Sequence, residues 1–176
     1  MSTRLSRRWW LRAIIIVSLC CPLVGCQHDP WADHFFRGQP QERDLVGTYR
    51  IDSDTLARRI SVPMSTTALS ISRDSEIVLS ADHKAKFSQI PEIQPPATQS
   101  CLVNGSGSWE LGRNDAYSVV NVQIQRNVAR PSVDGCEPTY YGQLMLYGKQ
   151  SPYKLHITIG DPDSGDAMQF EKINRP

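Results

Sequence analysis

Three kinds of side chain in this 176-residue sequence are spaced in ways that invite chemistry: five cysteines, a crowded set of aspartates, and a scatter of histidines and serines. A thiol takes covalent adducts, holds soft metals or pairs with a second thiol. Cys101 and Cys136 have neither a Cys-x-x-Cys partner nor a histidine at ligand spacing, which leaves redox and zinc chemistry with little support. In an oxidising compartment the two read as one disulfide. It would close a loop of 36 residues and stabilise the fold by about 4 kcal/mol in the chain-entropy model. Asp161, Asp163 and Asp166 crowd one segment and supply the oxygens that Ca²⁺ wants. Gly165 nevertheless falls one place early for a helix-loop-helix calcium loop and Glu171 misses its last ligand position, so a turn built from Asp, Pro, Ser and Gly explains the same residues. His28, Asp29, Asp33 and His34 lie on a proline-broken segment without the fixed geometry a metal needs. Ser106 lacks the Gly-x-Ser-x-Gly frame of an activated nucleophile, and His156 reads as an exposed strand histidine. No nucleophile, base and orienting group can be placed together. The expected catalytic, cofactor and metal residues are therefore none, and the chain reads as not an enzyme.

The remaining thiol chemistry belongs to Cys26. Arg4, Arg7, Arg8 and Arg12 precede an apolar stretch from Ala13 to Gly25 that includes Ile14, Ile15, Ile16, Val17 and Leu19. A helix crossing a bilayer needs about 20 apolar residues, and this stretch is shorter and carries Ser18 and Pro22. It has the layout of a secretory signal over residues 1–25. Its end, Leu23-Val24-Gly25-Cys26, resembles the lipobox of bacterial lipoproteins, which implies cleavage before Cys26 and a diacylglyceryl group on its sulfur. The other reading is an ordinary cleaved signal with an incidental cysteine. One acyl chain anchors only marginally, whereas the two or three of a lipoprotein hold a protein essentially permanently, at about 0.8 kcal/mol per buried CH₂. Gln27 follows the cysteine where an aspartate favours inner-membrane retention in enterobacterial lipoproteins, so the resemblance implies the outer membrane, with the domain facing the periplasm. Ser6-Arg7-Arg8-Trp9-Trp10-Leu11-Arg12 also looks like a twin-arginine export motif; a general basic leader is the simpler account, and either route leads out of the cytoplasm.

Without residues 1–25 the charge balance changes. Four of the 19 basic residues leave, so 15 face 18 acidic ones, a formal −3 in place of +1. No basic patch remains to track phosphates, which disfavours nucleic acid as a partner. The 151 residues left suffice for one domain burying about two thirds of its unfolded surface. Residues 26–44, punctuated by Pro30, Gly38 and Pro40, read as a lipidated tether, although Trp31, Phe35 and Phe36 are unusual in a solvated linker and suit either packing on the domain or the headgroup layer.

From residue 45 to 176 the pattern is period two. Leu45 to Ile51, Leu69 with Ile71, Tyr140 to Tyr147, Tyr153 to Ile159 and Ala167 to Ile173 read as strands. Glu76 to Ser80 and Lys86 to Ile90 flank Asp82-His83-Lys84 as one hairpin, and Ser106 to Leu111 and Tyr117 to Gln125 flank Gly112-Arg113-Asn114-Asp115 as another. Tyr153, Leu155, Ile157 and Ile159 alternate with Lys154, His156 and Thr158, predicting one buried and one wet face. Only Asp52 to Ile60 reads as helical, and Pro91 to Ser100, with Pro95-Pro96, reads as a rim loop. About eight short strands with regular turns predict an all-β antiparallel barrel or sandwich.

Leu45-Val46-Gly47-Thr48-Tyr49, Gly105-Ser106-Gly107-Ser108-Trp109-Glu110-Leu111, and Gly160 to Asp166 with Phe170-Glu171-Lys172 resemble small lipocalin-like bacterial lipoproteins of uncharacterised function. Tyr49 stands where true lipocalins carry the tryptophan of Gly-x-Trp, and His83-Lys84 replaces an Asp-Gly turn. The resemblance implies a single up-and-down β-barrel with one short helix after its first strand, and carries over no ligand or residue role. Two functional classes follow. One is a non-catalytic binding or interaction module whose barrel is filled and whose rim meets an unknown protein partner. The other is a carrier of a small apolar ligand in a hollow barrel, with Tyr140, Tyr141, Tyr147, Tyr153 and Trp109 lining its cavity or simply forming core.

Overall fold

The computed structural model describes residues 29–57, 71–94, 99–114, 116–127, 136–159, 163 and 165–173. Residues 1–25, Cys26, Gln27, His28, Leu69, Pro95, Pro96 and Asp161 lie outside them. A 3₁₀ turn, Ala32–His34, and helix α1, Glu42–Leu45, lead into β1, Gly47–Ile51, which is followed by helix α2, Ser53–Ala57. Seven strands complete the chain: β2 Glu76–Leu79, β3 Lys84–Gln94, β4 Gln99–Asn114, β5 Tyr117–Arg126, β6 Thr139–Tyr147, β7 Lys154–Thr158 and β8 Ala167–Ile173. Each strand pairs antiparallel with the next and β8 returns to β1, so the sheet closes as an eight-strand up-and-down barrel. Closure leaves no sheet edge to be covered over most of the circumference.

Alternation decides which side chains fill the lumen. On β5, Val120, Val122, Ile124 and Arg126 are buried while Gln123 and Gln125 are exposed. Tyr49, Ile77, Leu79, Phe87, Val103, Leu144, Leu155 and Phe170 join Val120, Val122 and Ile124 in one contiguous core, each almost fully shielded. Gly105 and Gly107 also belong to this inward series. A Cβ at either would fall on the carbonyl oxygens of Gln125 and Gln123, so only glycine lets β5 coil this tightly over β4.

The barrel's two ends differ. At the turn end, β2 and β3 meet across Asp82-His83, with His83 in the left-handed region at φ 59° and Asp82 paired to Lys84 at 2.6 Å. This end is plugged: α1 drops Leu45 into the core, and the buried Tyr49 hydroxyl donates to the Leu45 carbonyl at 2.7 Å. Burial, with the Asp44 charge adding, pushes the Tyr49 hydroxyl far above its ordinary value, so it stays a donor. At the loop end lie the last residues of β1, β3, β5 and β7 and the first of β2, β4, β6 and β8.

Two local expectations are corrected, and a third holds in its described part. Ile71 precedes a turn at Arg73-Asp74, and Ser75 donates back to the Ser72 carbonyl, so the run read as a strand there is irregular in its described part. The expected helix is present over Ser53–Ala57, with residues 58–60 outside the described residues; Asp52 caps it by accepting from the Thr55 amide at 2.7 Å. The segment from Pro91 is strand, not rim loop. Pro91 pairs with Leu102, and β3 and β4 continue together to Gln94 and Gln99. The proline fits because β2 pairs only with residues 85–88; past Gln89, whose carbonyl accepts from the Ser75 hydroxyl, β3 has no ladder partner on that side among the described residues. A bulge between Phe87 and Ile90 makes the change, with Gln89 at φ 53° and its amide held by Asn104 Oδ1 at 2.8 Å.

Candidate functional site

The loop end collects the polar groups that the rest of the lumen excludes. Arg126 is the last inward residue of β5, and Glu92 faces it from the extended part of β3. Arg126 Nη2 donates to Glu92 Oε2, while Nε and Nη1 are buried with no hydrogen-bond partner among the described residues. The Arg126 side chain is 2% exposed and that of Glu92 17%. Burial draws the Arg126 pKa down from the ordinary arginine value, against the Tyr140 and Glu137 charges that hold it up. Tyr140, inward on β6, has its hydroxyl pushed up by burial, opposed by Arg126. Glu92 and Tyr140 also line a crevice of about 220 Å³, together with Tyr141, Ile157, Thr158, Ile159 and Met168.

The disulfide stands at this same end. Cys101 on β4 and Cys136, ahead of β6, are joined as expected, tying the β3–β4 extension to the β5–β6 connection. The flanking backbone is also fixed, with Arg126 N donating to Pro138 O at 2.9 Å and Asn127 N to Asn104 O at 2.7 Å.

A second concavity lies on the outer face of β4, β5 and β6, a groove of about 550 Å³ between His83 and Tyr141. His83 stacks on Trp109 with ring centres 5.0 Å apart, and the Trp109 indole donates to the Ser80 carbonyl at 2.9 Å. Asn121, Gln123 and Tyr141 of its lining belong to an amide ladder on this face: Asn114 donates to Gln143, Gln143 to Asn121, and Gln123 to the Tyr141 hydroxyl. Tyr141 is 70% exposed. The aromatic residues expected together are thus dispersed: Tyr140, Tyr153 and Trp109 are core, Tyr141 is outside, and Tyr147 packs under the N-terminal segment.

That segment accounts for the clearest failure of the sequence reading. His156 was expected on a wet face, and it is fully buried. Trp31, Phe35 and Tyr147 surround its ring at centre distances of 5.5, 4.9 and 6.0 Å, with Gln169 Nε2 3.4 Å from Nδ1. Residues 29–40 run along the outside of the barrel from the β7–β8 turn, where the Trp31 indole donates to Gly165 O at 3.1 Å, towards the turn end. There Phe36 N donates to Leu146 O and Ser118 N to Phe36 O, a wedge between the ends of β5 and β6. Phe36 packs on Tyr153, and the rings are layered against the barrel instead of hanging on a free tether. Asp29 accepts from the Trp31 amide and His34 stacks on Tyr147, which spends both on local structure. Beside this layer Asp52 takes the Lys154 ammonium at 2.9 Å, and desolvation of its carboxyl is outweighed by hydrogen bonds from Thr55 and Lys154, so its pKa lies below the usual aspartate value. At the β7–β8 turn, Ile159 N donates to the Asp166 carbonyl and Asp163 is exposed, while Asp161 lies outside the described residues.

The Arg126–Glu92 pair was missed by stopping the β5 pattern at Gln125; one residue more puts a charge on the inward face. No partner for it is visible in sequence, because Glu92 lay in a segment read as loop. Compared with known proteins, the chain matches no protein-family model, no curated protein and no solved structure. The closed eight-strand antiparallel barrel is compatible with a lipocalin-like fold.

Proposed function

We propose that this protein is a membrane-anchored periplasmic lipoprotein, akin to the small lipocalin-like kind, and a non-catalytic binding module at the outer membrane. The lipobox-like run ending at Cys26 is the sequence basis. The observation that supports it most is the docking of Trp31 and Pro30 against Gly165. Only three peptide steps separate Cys26 from Asp29, which is at most about 10 Å of extended chain. A lipid at Cys26 would therefore hold the domain close to the bilayer, beside the β7–β8 turn, and bring the loop end near the surface. A filled central lumen, with Tyr49, Phe87 and Phe170 fully buried, favours recognition at an end or on an outer face over carriage deep inside.

The second reading, carriage of a small apolar ligand, would have to use the crevice in which Ile157, Ile159 and Met168 stand beside Glu92 and Thr158. It would confine the ligand to the loop end. The anchor is tested by metabolic labelling with a palmitate analogue: the wild-type chain takes up label and sediments with membranes, and Cys26→Ala loses both. Membrane association unchanged in the unlabelled variant would remove the lipid reading.

A further inference from the structure

We propose that the outer face of β4, β5 and β6 binds an uncharged glycan, with Tyr141 and His83 as the rings on which sugars stack and the amides and hydroxyls between them as hydrogen-bond partners. The inference rests on the reading of this protein as a binding module, which it deepens, and is independent of the anchor. Two cross-strand rows carry it: Glu110, Asn121 and Gln143 stand side by side, and so do Ser108, Gln123 and Tyr141. Gln125 beside Thr139 continues the face. These positions alternate with the buried Trp109, Val122, Ile124 and Leu144, so they look away from the lumen. A solvated face is ordinarily held by lysine and glutamate. Here Glu110 is the one side chain of the two rows that is ionised at neutral pH, and the others are amides, a hydroxyl and a phenol.

That composition selects the ligand. An amide holds donors and an acceptor at one end, which suits sugar hydroxyls that are donor and acceptor at once. The ladder spends only part of this capacity. Asn121 accepts from Gln143 through Oδ1 and Gln123 donates to Tyr141 through Nε2, which leaves Asn121 Nδ2 and Gln123 Oε1 for a ligand. Gly112 makes room for the first of these, since a Cβ there would stand 2.4 Å from Asn121 Nδ2. Tyr141 is exposed, yet the Gln123 bond at 3.2 Å holds its hydroxyl, so the ring is a positioned platform. The C–H face of a pyranose suits the negative face of such a ring. Across the groove, His83 is set by its stacking on Trp109. From β4 to β6 is two strand spacings, about 10 Å, the span of about two linked sugar rings, and the groove's volume of about 550 Å³ is that of a small-ligand site. Charge settles the class. Among the described residues no lysine or arginine lines the groove; Lys84, beside Ser108, is spent on Asp82 at 2.6 Å, and Glu42 faces His83 at 3.5 Å. An anionic ligand would meet Glu110 without a compensating cation, whereas a neutral hydroxyl can donate to that carboxylate.

The test is calorimetric titration of the full chain in zwitterionic nanodiscs with uncharged tetramers of N-acetylglucosamine, β-linked glucose and α-linked glucose, and with tetragalacturonate as the charged counterpart. At least one neutral tetramer should bind, with no measurable heat from tetragalacturonate. Tyr141→Ala should weaken that binding by about tenfold or more, and Tyr141→Phe should hold it within about threefold of wild type, because the ring and not the hydroxyl carries the stacking. Gln123→Ala should weaken it by about threefold or more, and keeps the test decisive if Tyr141→Ala fails to fold. Silence from all three neutral tetramers overturns the proposal, as does tetragalacturonate binding as tightly as they do, or an affinity that Tyr141→Ala leaves unchanged. Self-association of wild type that Tyr141→Ala abolishes, with the tetramers silent, would make this face a contact between copies and end the glycan. A different molecule retained by wild type in native mass spectrometry, again with the tetramers silent, would end the glycan while leaving the binding-module reading in place.

Discussion

Two charged residues break the apolar rule of this barrel, and their surroundings give them different work. Arg126 is under-satisfied in the lumen, its Nε and Nη1 without a hydrogen-bond partner among the described residues. Asp52 is over-satisfied on the outer face, accepting from the Thr55 amide and from Lys154, and acts as a structural hub between α2 and β7. Its depressed pKa has a definite pH consequence. The stabilisation is fully present above the unfolded aspartate pKa of about 3.9 and is lost as pH falls through the lower folded value. Asp52→Asn should therefore lower stability by about 1–2 kcal/mol at neutral pH, with the gap to wild type closing below about pH 4, as read from urea unfolding at pH 7 and pH 3. A gap of equal size at both would show that charge is not the source. His156 makes the corresponding point for packing. Its ring is covered by Phe35 at 4.9 Å, and Phe35→Ala should cost about 3–5 kcal/mol in the same assay, far more than any linker residue could.

The elements were legible in proportion to how local their causes are. Hairpins around Asp82-His83 and the β4–β5 turn follow from short-range alternation and turn residues, and both stand where the sequence places them. Pro91 misled because proline excludes a strand only where the neighbour on its N–H side needs that donor; the missing β2 partner beyond Ser88 is a property of barrel shear and is not written in the local residues. The wet face of β7 misled for a similar reason. Its cover comes from residues 31–36, more than a hundred positions away, and no period within β7 reports it. The disulfide was readable because it needs only two leftover thiols and an oxidising compartment. Cys101→Ser with Cys136→Ser should lower unfolding stability by about 2–4 kcal/mol, matched by adding reductant to wild type. Wild type that is indifferent to reductant would mean that the Cys101–Cys136 link adds nothing to the fold.

For the whole molecule, the closed barrel, the plugged turn end and the N-terminal layer give the domain a direction. The chain reaches the barrel at the β7–β8 turn, beside the loop end that carries Arg126, so a lipid on Cys26 would present that end to the bilayer. In this arrangement the short distance from Cys26 to Asp29 matters more than the length of residues 26–44, which the sequence alone read as reach. Trp31→Ala, by freeing the layer from Gly165, should raise protease sensitivity within residues 29–40 of membrane-bound protein, with the barrel itself intact. An unchanged cleavage pattern would argue that Trp31 does not hold this layer.

The central claim is that the protein is held at the membrane through Cys26. Its most direct measurement is mass spectrometry of the N-terminal peptide from protein extracted out of its native membranes. The account predicts a peptide that begins at Cys26, lacks residues 1–25 and carries the added mass of a diacylglyceryl group. A peptide beginning elsewhere, or an unmodified Cys26 thiol, would contradict it.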